Sequence, residues 1–212
     1  IFTTHIITDT AAGVQSVYAT DVNGDGYIDI LSAAWHDDTI AWYENNGAAD
    51  PIFTAHTITG AADGAQTVYA ADIDGDGDMD VLSATYDVEG VNDHRVFWYE
   101  NNGAEVPSFT THTIADKFSA DGGRSVYAID VDKDGDLDVL TASYFDSKIT
   151  WFENNGDADP VFIAHTITAS AQAAESVYAA DMDGDGDIDV LSASMGDNKI
   201  AWYENSGATE PT

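Results

Sequence analysis

The chain has 212 residues, of which 44% are hydrophobic and 11% aromatic, so it can bury a sizeable core and is not expected to be disordered. Its 39 acidic and 6 basic residues give a formal net charge of −33, which repels nucleic-acid phosphates and favours cations as partners. The absence of cysteine excludes disulfides, and no apolar run approaches the roughly 20 residues that span a bilayer. We therefore expect neither nucleic-acid binding nor membrane insertion.

The first fifty residues contain four short segments rich in β-branched and aromatic residues, separated by clusters of Gly, Asn and Asp. No segment shows a convincing apolar period of 3.6 residues, so helices are not expected. The predicted strands of this first repeat are Phe2 to Thr8, Gln15 to Val22, Ile28 to Ala34 and Thr39 to Glu44.

The same order of segments then recurs three times. The phrase AWYENNG around Trp42 returns around Trp98, Trp151 and Trp202, at spacings of 56, 53 and 51 residues. A unit of four strands in about 53 residues is typical of a β-propeller blade, which buries its faces against neighbouring blades. The sequence thus predicts an all-β fold and one domain of four repeats, at approximately 1–50, 51–106, 107–159 and 160–212.

The phase of the repeat leaves the ring size open. Residues 2–7 read FTTHII, and the matching segments of later repeats follow the WYENNG phrase. The first predicted strand can therefore pair with the last blade and close a four-bladed ring. A homodimer that forms an eight-bladed ring, or a larger propeller of which this chain is a part, fits the pattern equally well.

Each repeat contains an acidic loop of the form DxDxDGxxD, and the four loops together contain 18 carboxylates. Ca²⁺ prefers six to eight oxygen ligands, so we expect side chains at positions 1, 3, 5 and 9 and the carbonyl at position 7 to bind one ion per loop. An EF-hand is excluded because position 12 is Ser or Thr where an EF-hand has Glu, and the flanking segments are predicted strands. The predicted ligands are Asp21, Asn23, Asp25, Tyr27 and Asp29; Asp72, Asp74, Asp76, Asp78 and Asp80; Asp130, Asp132, Asp134, Asp136 and Asp138; and Asp181, Asp183, Asp185, Asp187 and Asp189.

Two loops depart from the all-aspartate pattern. Asn23 removes a negative charge from the first loop, and Lys133 adds a positive charge to the third. We therefore expect weaker calcium binding at these two sites.

At these loops the chain resembles the FG-GAP and VCBS repeat families. The resemblance extends over essentially the whole chain and rests on the four DxDxDGxxD loops, although the FG-GAP dipeptides themselves are absent. It implies calcium-binding propeller repeats of the kind found in integrin-type and fungal-lectin-type proteins. It also implies recognition of carbohydrate or protein outside the cell.

Positions where the repeats differ are the candidates for ligand binding. Trp35, Tyr86 and Tyr144 each end a predicted strand and precede a polar loop, where an aromatic ring suits sugar stacking. Arg124 precedes a predicted innermost strand and is a fourth candidate. Packing between blades is the competing interpretation for the aromatic rings, and we interpret the Trp and His residues that recur in every repeat as structural.

The leading hypothesis is an extracellular, calcium-dependent binding module without catalytic activity, because no nucleophile is paired with a base and an orienting acid. One alternative is an accessory or catalytic propeller of a polysaccharide-degrading enzyme. Its only unrepeated candidate residues are His36, His94, Arg95 and Arg124. A second alternative is a structural unit that assembles into rings or arrays.

Overall fold

The computed structural model describes residues 2–86 and 94–207, which form fifteen strands in four antiparallel sheets. The first sheet contains β1 (Val14–Thr20), β2 (Asp29–Ala34), β3 (Thr39–Asn45) and β4 (Phe53–Thr59). The second contains β5 (Ala65–Ala71), β6 (Asp80–Thr85), β7 (Val96–Asn101) and β8 (Phe109–Ala115). The third contains β9 (Gly123–Ile129), β10 (Asp138–Ser143), β11 (Lys148–Asn154) and β12 (Phe162–Thr168), and the fourth contains β13 (Ala174–Ala180), β14 (Asp189–Ser194) and β15 (Lys199–Tyr203).

Within each sheet the strands pair in chain order, so every sheet is a simple meander. The register repeats as well: Trp42 lies opposite His56, Trp98 opposite His112 and Trp151 opposite His165. The predicted all-β fold of blade-like sheets is confirmed. None of the described segments is a helix that could cross a membrane.

The core lies between consecutive sheets. Strand side chains alternate between the two faces, so each inner sheet has one apolar face for the preceding sheet and another for the following one. Leu31, Ile40 and Trp42 of the first sheet pack against Val68 and Val81 of the second. The same arrangement recurs at the next two interfaces.

The first strands of the four sheets lie side by side along one edge of this row of sheets. They bring together a line of tyrosines with ring centroids 4.8, 5.3 and 4.8 Å apart. The rings are those of Tyr18, Tyr69, Tyr127 and Tyr178. This line connects all four sheets at the edge where the centre of a propeller is expected.

The strand predicted at Phe2 to Thr8 is wrong, because residues 2–13 form no strand and Phe2 is fully exposed. Consequently, the fourth sheet has three strands among the described residues, and residues 2–8 do not complete it. A strand requires a neighbouring edge with which to exchange hydrogen bonds, and its own sequence does not supply that edge. The equivalent segments β4, β8 and β12 each find such an edge on the preceding strand.

Candidate metal sites

The acidic loops are the hairpin connections between the first and second strands of each sheet. Their tight turn requires a left-handed backbone at position 6, where Gly26 has φ of 90° and Gly77 has φ of 95°. Position 4 is also left-handed, and here Lys133 replaces glycine with φ of 65°. The glycine at position 6 therefore sets the loop shape that brings the aspartates together.

Backbone N–H groups orient the aspartates of the second loop. The N–H of Gly77 donates to Asp72 Oδ2 at 3.1 Å, and the N–H of Asp76 donates to Asp74 Oδ1 at 3.2 Å. The same two bonds form in the third and fourth loops. One oxygen of each carboxylate is thereby fixed. The other oxygen of Asp181 accepts a further bond from the N–H of Gly184 at 2.7 Å, whereas Asp72 Oδ1 and Asp130 Oδ1 have no such donor among the described residues.

The aspartate at position 9 is buried and joins the loop to the third strand. Asp80 accepts hydrogen bonds from the N–H of Ile73 at 3.1 Å and from the N–H of Asn101 at 2.7 Å. Burial raises the pKa of Asp80 to about 7, although both N–H groups oppose the shift. Burial likewise raises the pKa of Asp138 to about 6. Ionising these carboxylates in the fold is costly, and a bound cation would offset that cost.

At position 9 of the fourth loop, the pKa of the aspartate is shifted in the opposite direction. Burial acts to raise the pKa of Asp189, but the N–H groups of Asn205 and Met182 outweigh it, and the pKa is lowered. The Asp189 side chain is fully buried, but its sheet has no following sheet among the described residues.

Three loops bring carboxylates close enough together to hold a metal ion. In each, one oxygen from positions 1, 3 and 9 lies within 4.8 Å of the other two. The triads are Asp72, Asp74 and Asp80; Asp130, Asp132 and Asp138; and Asp181, Asp183 and Asp189. Buried Oδ1 atoms of Asp72 and Asp130 have no hydrogen-bond partner among the described residues. A buried carboxylate oxygen without a donor is costly unless a cation contacts it, so the all-oxygen triads fit a hard divalent ion.

The first loop adopts the same conformation with an amide at position 3. The N–H of Gly26 donates to Asp21 Oδ2 at 2.7 Å, and the N–H of Asp25 donates to Asn23 Oδ1 at 3.2 Å. Asp29 accepts from the N–H of Val22 at 3.1 Å, as its equivalents do. This loop therefore makes the same hydrogen bonds with two carboxylates fewer, because Asn23 and Tyr27 stand where the other loops have Asp.

Positions 5 and 7 take other roles in the described structure. Asp76 at position 5 accepts a hydrogen bond from the N–H of Asp78 at 2.9 Å, and the same bond recurs in every loop. The Asp78 side chain at position 7 lies against Gly103, whose φ of 64° and lack of a Cβ make room for it. Metal binding by the position 5 carboxylates and the position 7 carbonyls stays a prediction.

An asparagine that sequence reasoning missed connects each of the first three loops to the next sheet. Asn101 Nδ2 donates to the carbonyl of Met79 in its own loop and to that of Val22 in the preceding loop, both at 3.0 Å. Asn154 and Asn205 make the equivalent pairs of bonds. The signal was present in the sequence, because this asparagine follows Trp-Tyr-Glu or Trp-Phe-Glu in every repeat.

Lys133 does not act on its own loop. Its ammonium group pairs with Asp187 at position 7 of the fourth loop, and this hydrogen bond raises the pKa of the lysine. The positive charge predicted to weaken the third site therefore lies beside the fourth.

The candidate ligand residues separate into two groups. Arg124 lies over the ring of Tyr86, 3.7 Å from its centroid, and 5.1 Å from that of Tyr144. Arg124 also donates to Gln66 Oε1 at 2.8 Å, and Tyr86 is buried. Trp35 lies apart from this cluster and stacks on His36 at 4.9 Å. Tyr86 and Arg124 thus fill the space between the second and third sheets, as the packing interpretation expects.

The repeated tryptophans and histidines form a stacked pair on the last two strands of three sheets. Trp98 and His112 have ring centroids 4.3 Å apart, and His112 Nε2 lies 2.8 Å from Glu100 Oε2. The first and third sheets contain equivalent pairs. Trp202 in the fourth sheet has no such partner among the described residues and is 47% exposed.

These features define a class: an all-β repeat protein whose blade-like sheets each carry an acidic hairpin loop. The sequence matches the FG-GAP-like repeat family over residues 21–83, 86–141 and 134–192, and the chain belongs to this family. A search of curated proteins found no match to the sequence.

Solved structures similar to the chain include the following two. One is a lectin from Agrocybe aegerita described as recognising non-reducing terminal N-acetylglucosamine, with 20% identity and a TM-score of 0.54. The match covers 84% of this chain and 46% of the lectin, so this chain spans less than half of that lectin. The other is the V. cholerae biofilm matrix protein Bap1, with 20% identity, a TM-score of 0.39, and coverage of 92% of this chain and 31% of its own.

Proposed function

We propose that the chain is an extracellular recognition module that binds four Ca²⁺ ions, one per acidic loop, and uses its blade surface to bind carbohydrate or protein. The observation that carries the proposal is the set of three aspartate triads, two of which contain a buried carboxylate oxygen without a hydrogen-bond donor among the described residues. Such oxygens are satisfied by a hard divalent cation. Extracellular calcium is abundant enough to fill sites of modest affinity.

Calcium acts on the shape of the blades in this proposal. The loops lie between the first and second strands, whereas the segments that differ among repeats lie at the opposite end of the sheets, between the second and third strands. A bound ion would fix the hairpin and, through Asp80 and Asn101, its connection to the third strand and the preceding loop. The ligand would then contact the opposite end of a rigid sheet.

The aromatic residues at that opposite end, of which Trp35 is half-buried and Phe145 is exposed, support a carbohydrate ligand. Trp35 and His36 form a stacked pair beside a polar loop, and Phe145 is 48% exposed at the equivalent end of the third sheet. Flat apolar rings beside polar groups suit the faces and hydroxyls of sugars. The similar fungal lectin makes carbohydrate the first ligand class to test.

The test is a glycan array probed with the protein in millimolar Ca²⁺ and again in excess chelator. The proposal predicts binding to a defined group of glycans that is lost or weakened in chelator and reduced by Trp35→Ala. Val161→Ala, an exposed apolar position outside these loops, is the matched control. Absence of binding to any glycan or extracellular protein in calcium would contradict the recognition role.

The proposal is for binding without catalysis. Arg124 is engaged with Tyr86 and Gln66, and His94 pairs with Asp121, so two of the four unrepeated candidate residues serve contacts within the fold. Incubation with acidic polysaccharides tests this directly, since release of shortened products would contradict it.

A further inference from the structure

The two ends of the row of sheets expose surfaces that are buried everywhere else. On the outward face of the fourth sheet, Ile200 is 88% exposed and Trp202 is 47% exposed. The equivalent Ile149 and Trp151 of the third sheet are 0% and 6% exposed, because the fourth sheet covers them. The fourth sheet therefore exposes the apolar face that each of the first three sheets packs against the next sheet.

The first sheet exposes the complementary half of the same interface along its first strand. Farther out on that face, Ala41 and Tyr43 are 8% and 6% exposed and line a pocket together with Thr8, Thr10 and Ala11. Val17 is 66% exposed, whereas the equivalent Val68, Val126 and Val177 are 3%, 5% and 4% exposed because a preceding sheet covers them. The outward faces of the first and fourth sheets thus match the two sides of the three interfaces already present in the chain. These interfaces indicate what would cover the two exposed faces, namely another sheet of this repeat.

The asparagine hydrogen bond between neighbouring sheets is also incomplete at both ends of the row. Within residues 2–86 and 94–207, the first sheet has the donor without an acceptor, and the fourth sheet has the acceptor without a donor. Asn45 Nδ2 donates to Ile28 in its own loop at 2.9 Å and, among the described residues, makes no bond to a preceding loop. Asn101, Asn154 and Asn205 all make that second bond, to the position 2 carbonyl of the loop before. Met182 holds position 2 in the fourth loop, and its carbonyl is the acceptor that Asn45 would require.

The fourth sheet lacks a fourth strand among the described residues, and residues 2–7 of another copy could supply it. Within the part of the chain that the structure describes, Trp202 lacks the histidine partner found in the other three sheets, and residues 2–7 have the sequence of a fourth strand but pair with no strand. The register of the third sheet places Trp151 opposite His165 and Glu153 opposite Ile163. Transferred to the fourth sheet, this register places Trp202 opposite His5 and Glu204 opposite Thr3.

Residues 2–7 cannot fill this position within the arrangement described. Each sheet packs on its neighbours in a row, and the two exposed faces are at opposite ends. Residues 8–12 lie beside the first sheet, with Thr8 and Thr10 near Tyr43 and the N–H of Ala12 bonded to Asp37 at 2.6 Å. Any sheet that docks on the first sheet is therefore brought close to residues 2–7.

We propose that a second copy of this chain docks head to tail, with the fourth sheet of each copy on the first sheet of the other. Residues 2–7 of each copy add the fourth strand to the last sheet of its partner. Two identical contacts use all four end faces, and the assembly closes as a dimer of eight blades when the four sheets of each copy span half of the ring. This inference concerns assembly and does not depend on calcium or on the ligand.

Disulfide trapping tests the proposed register, because the chain has no cysteine of its own. A tagged Thr3→Cys variant is mixed with an untagged Glu204→Cys variant and oxidised. Directly opposed residues on antiparallel strands are close enough for a disulfide, so a tagged–untagged dimer is expected in high yield. Thr10→Cys mixed with Glu204→Cys is the control and is expected to give no disulfide-linked dimer on a non-reducing denaturing gel.

The double variant Thr3→Cys/Glu204→Cys distinguishes the two ways of pairing. A doubly linked dimer supports the proposal. A disulfide within one 22.6 kDa chain, or no disulfide at all, would overturn it.

Sedimentation of the unmodified chain gives an independent measure. We expect a species of twice 22.6 kDa, and we expect Ile200→Glu to raise its dissociation constant at least about tenfold by placing a charge in the apolar contact. Val161→Glu, which changes an apolar residue that is 60% exposed and lies outside both end faces, should leave the dimer unchanged. Circular dichroism verifies that both variants are folded, and a folded wild-type chain that stays monomeric at high concentration would overturn the proposal.

Discussion

Asp80 connects the acidic loop to the sheet through a single carboxylate. It is fully buried, accepts hydrogen bonds from Ile73 and Asn101, and belongs to the triad with Asp72 and Asp74. The same side chain thus stabilises the backbone and contributes an oxygen to the candidate metal site.

Replacing Asp80 should therefore destabilise the chain even without metal. Asp80→Ala leaves two buried N–H groups without acceptors, at a cost of about 1–3 kcal/mol each, so we expect the free energy of unfolding in chelator to fall by roughly 2–5 kcal/mol. Urea denaturation measures it. Asp50→Ala, an exposed change outside the loops, should stay within about 0.5 kcal/mol of wild type. Equal stabilities of the two variants would show that Asp80 contributes only to metal binding.

The ion pair of Lys133 gives a second prediction for a single residue. Because its ammonium group pairs with Asp187, Lys133→Gln should strengthen calcium binding in the fourth loop by about two- to fivefold at low salt and leave the third loop nearly unchanged. Calorimetric titration of variants that retain only the third or only the fourth loop measures each site. A larger effect in the third loop would restore the interpretation based on sequence alone.

An asparagine side chain forms a hydrogen bond between neighbouring sheets. Asn101 and Asn45 make the same bonds within their own sheets, but only Asn101 also reaches a preceding loop among the described residues. The two positions therefore form a matched pair for measuring one contact between sheets.

We expect Asn101→Ala to lower the free energy of unfolding by about 1–2 kcal/mol more than Asn45→Ala does, because it also leaves the buried carbonyl of Val22 without its donor. The comparison is made by urea denaturation at a protein concentration where the chain is monomeric. If the two variants lose the same stability, the bond between sheets makes no net contribution.

The strands show which features a local sequence pattern can predict. Three strands predicted in the first repeat match β1, β2 and β3 within two residues at each end, because β-branched runs and Gly-Asp turns act locally. The strand predicted at Phe2 to Thr8 fails because its partner edge is not supplied by nearby residues. Similarly, spacing predicted the aspartates that converge, but it could not place Arg124 on Tyr86, since that contact depends on how two sheets pack.

For the whole molecule, charge and stability are linked. The chain has a net charge of −33, and 18 of its carboxylates lie in four short loops. Without cations these groups repel one another, and burial of Asp80 and Asp138 adds to the cost of ionising them. Cations that bind only the folded loops would remove this repulsion and shift the equilibrium towards the folded state.

Thermal unfolding in excess chelator and in millimolar Ca²⁺ tests this account most directly. Each site should stabilise the fold by about 2.7 kcal/mol when free calcium is a hundred times its dissociation constant, so the melting temperature should rise steeply with calcium. A variant with Asp72, Asp130 and Asp181 all changed to Asn should lose most of that rise. A melting temperature that is the same in chelator and in calcium would contradict the claim that these loops bind metal.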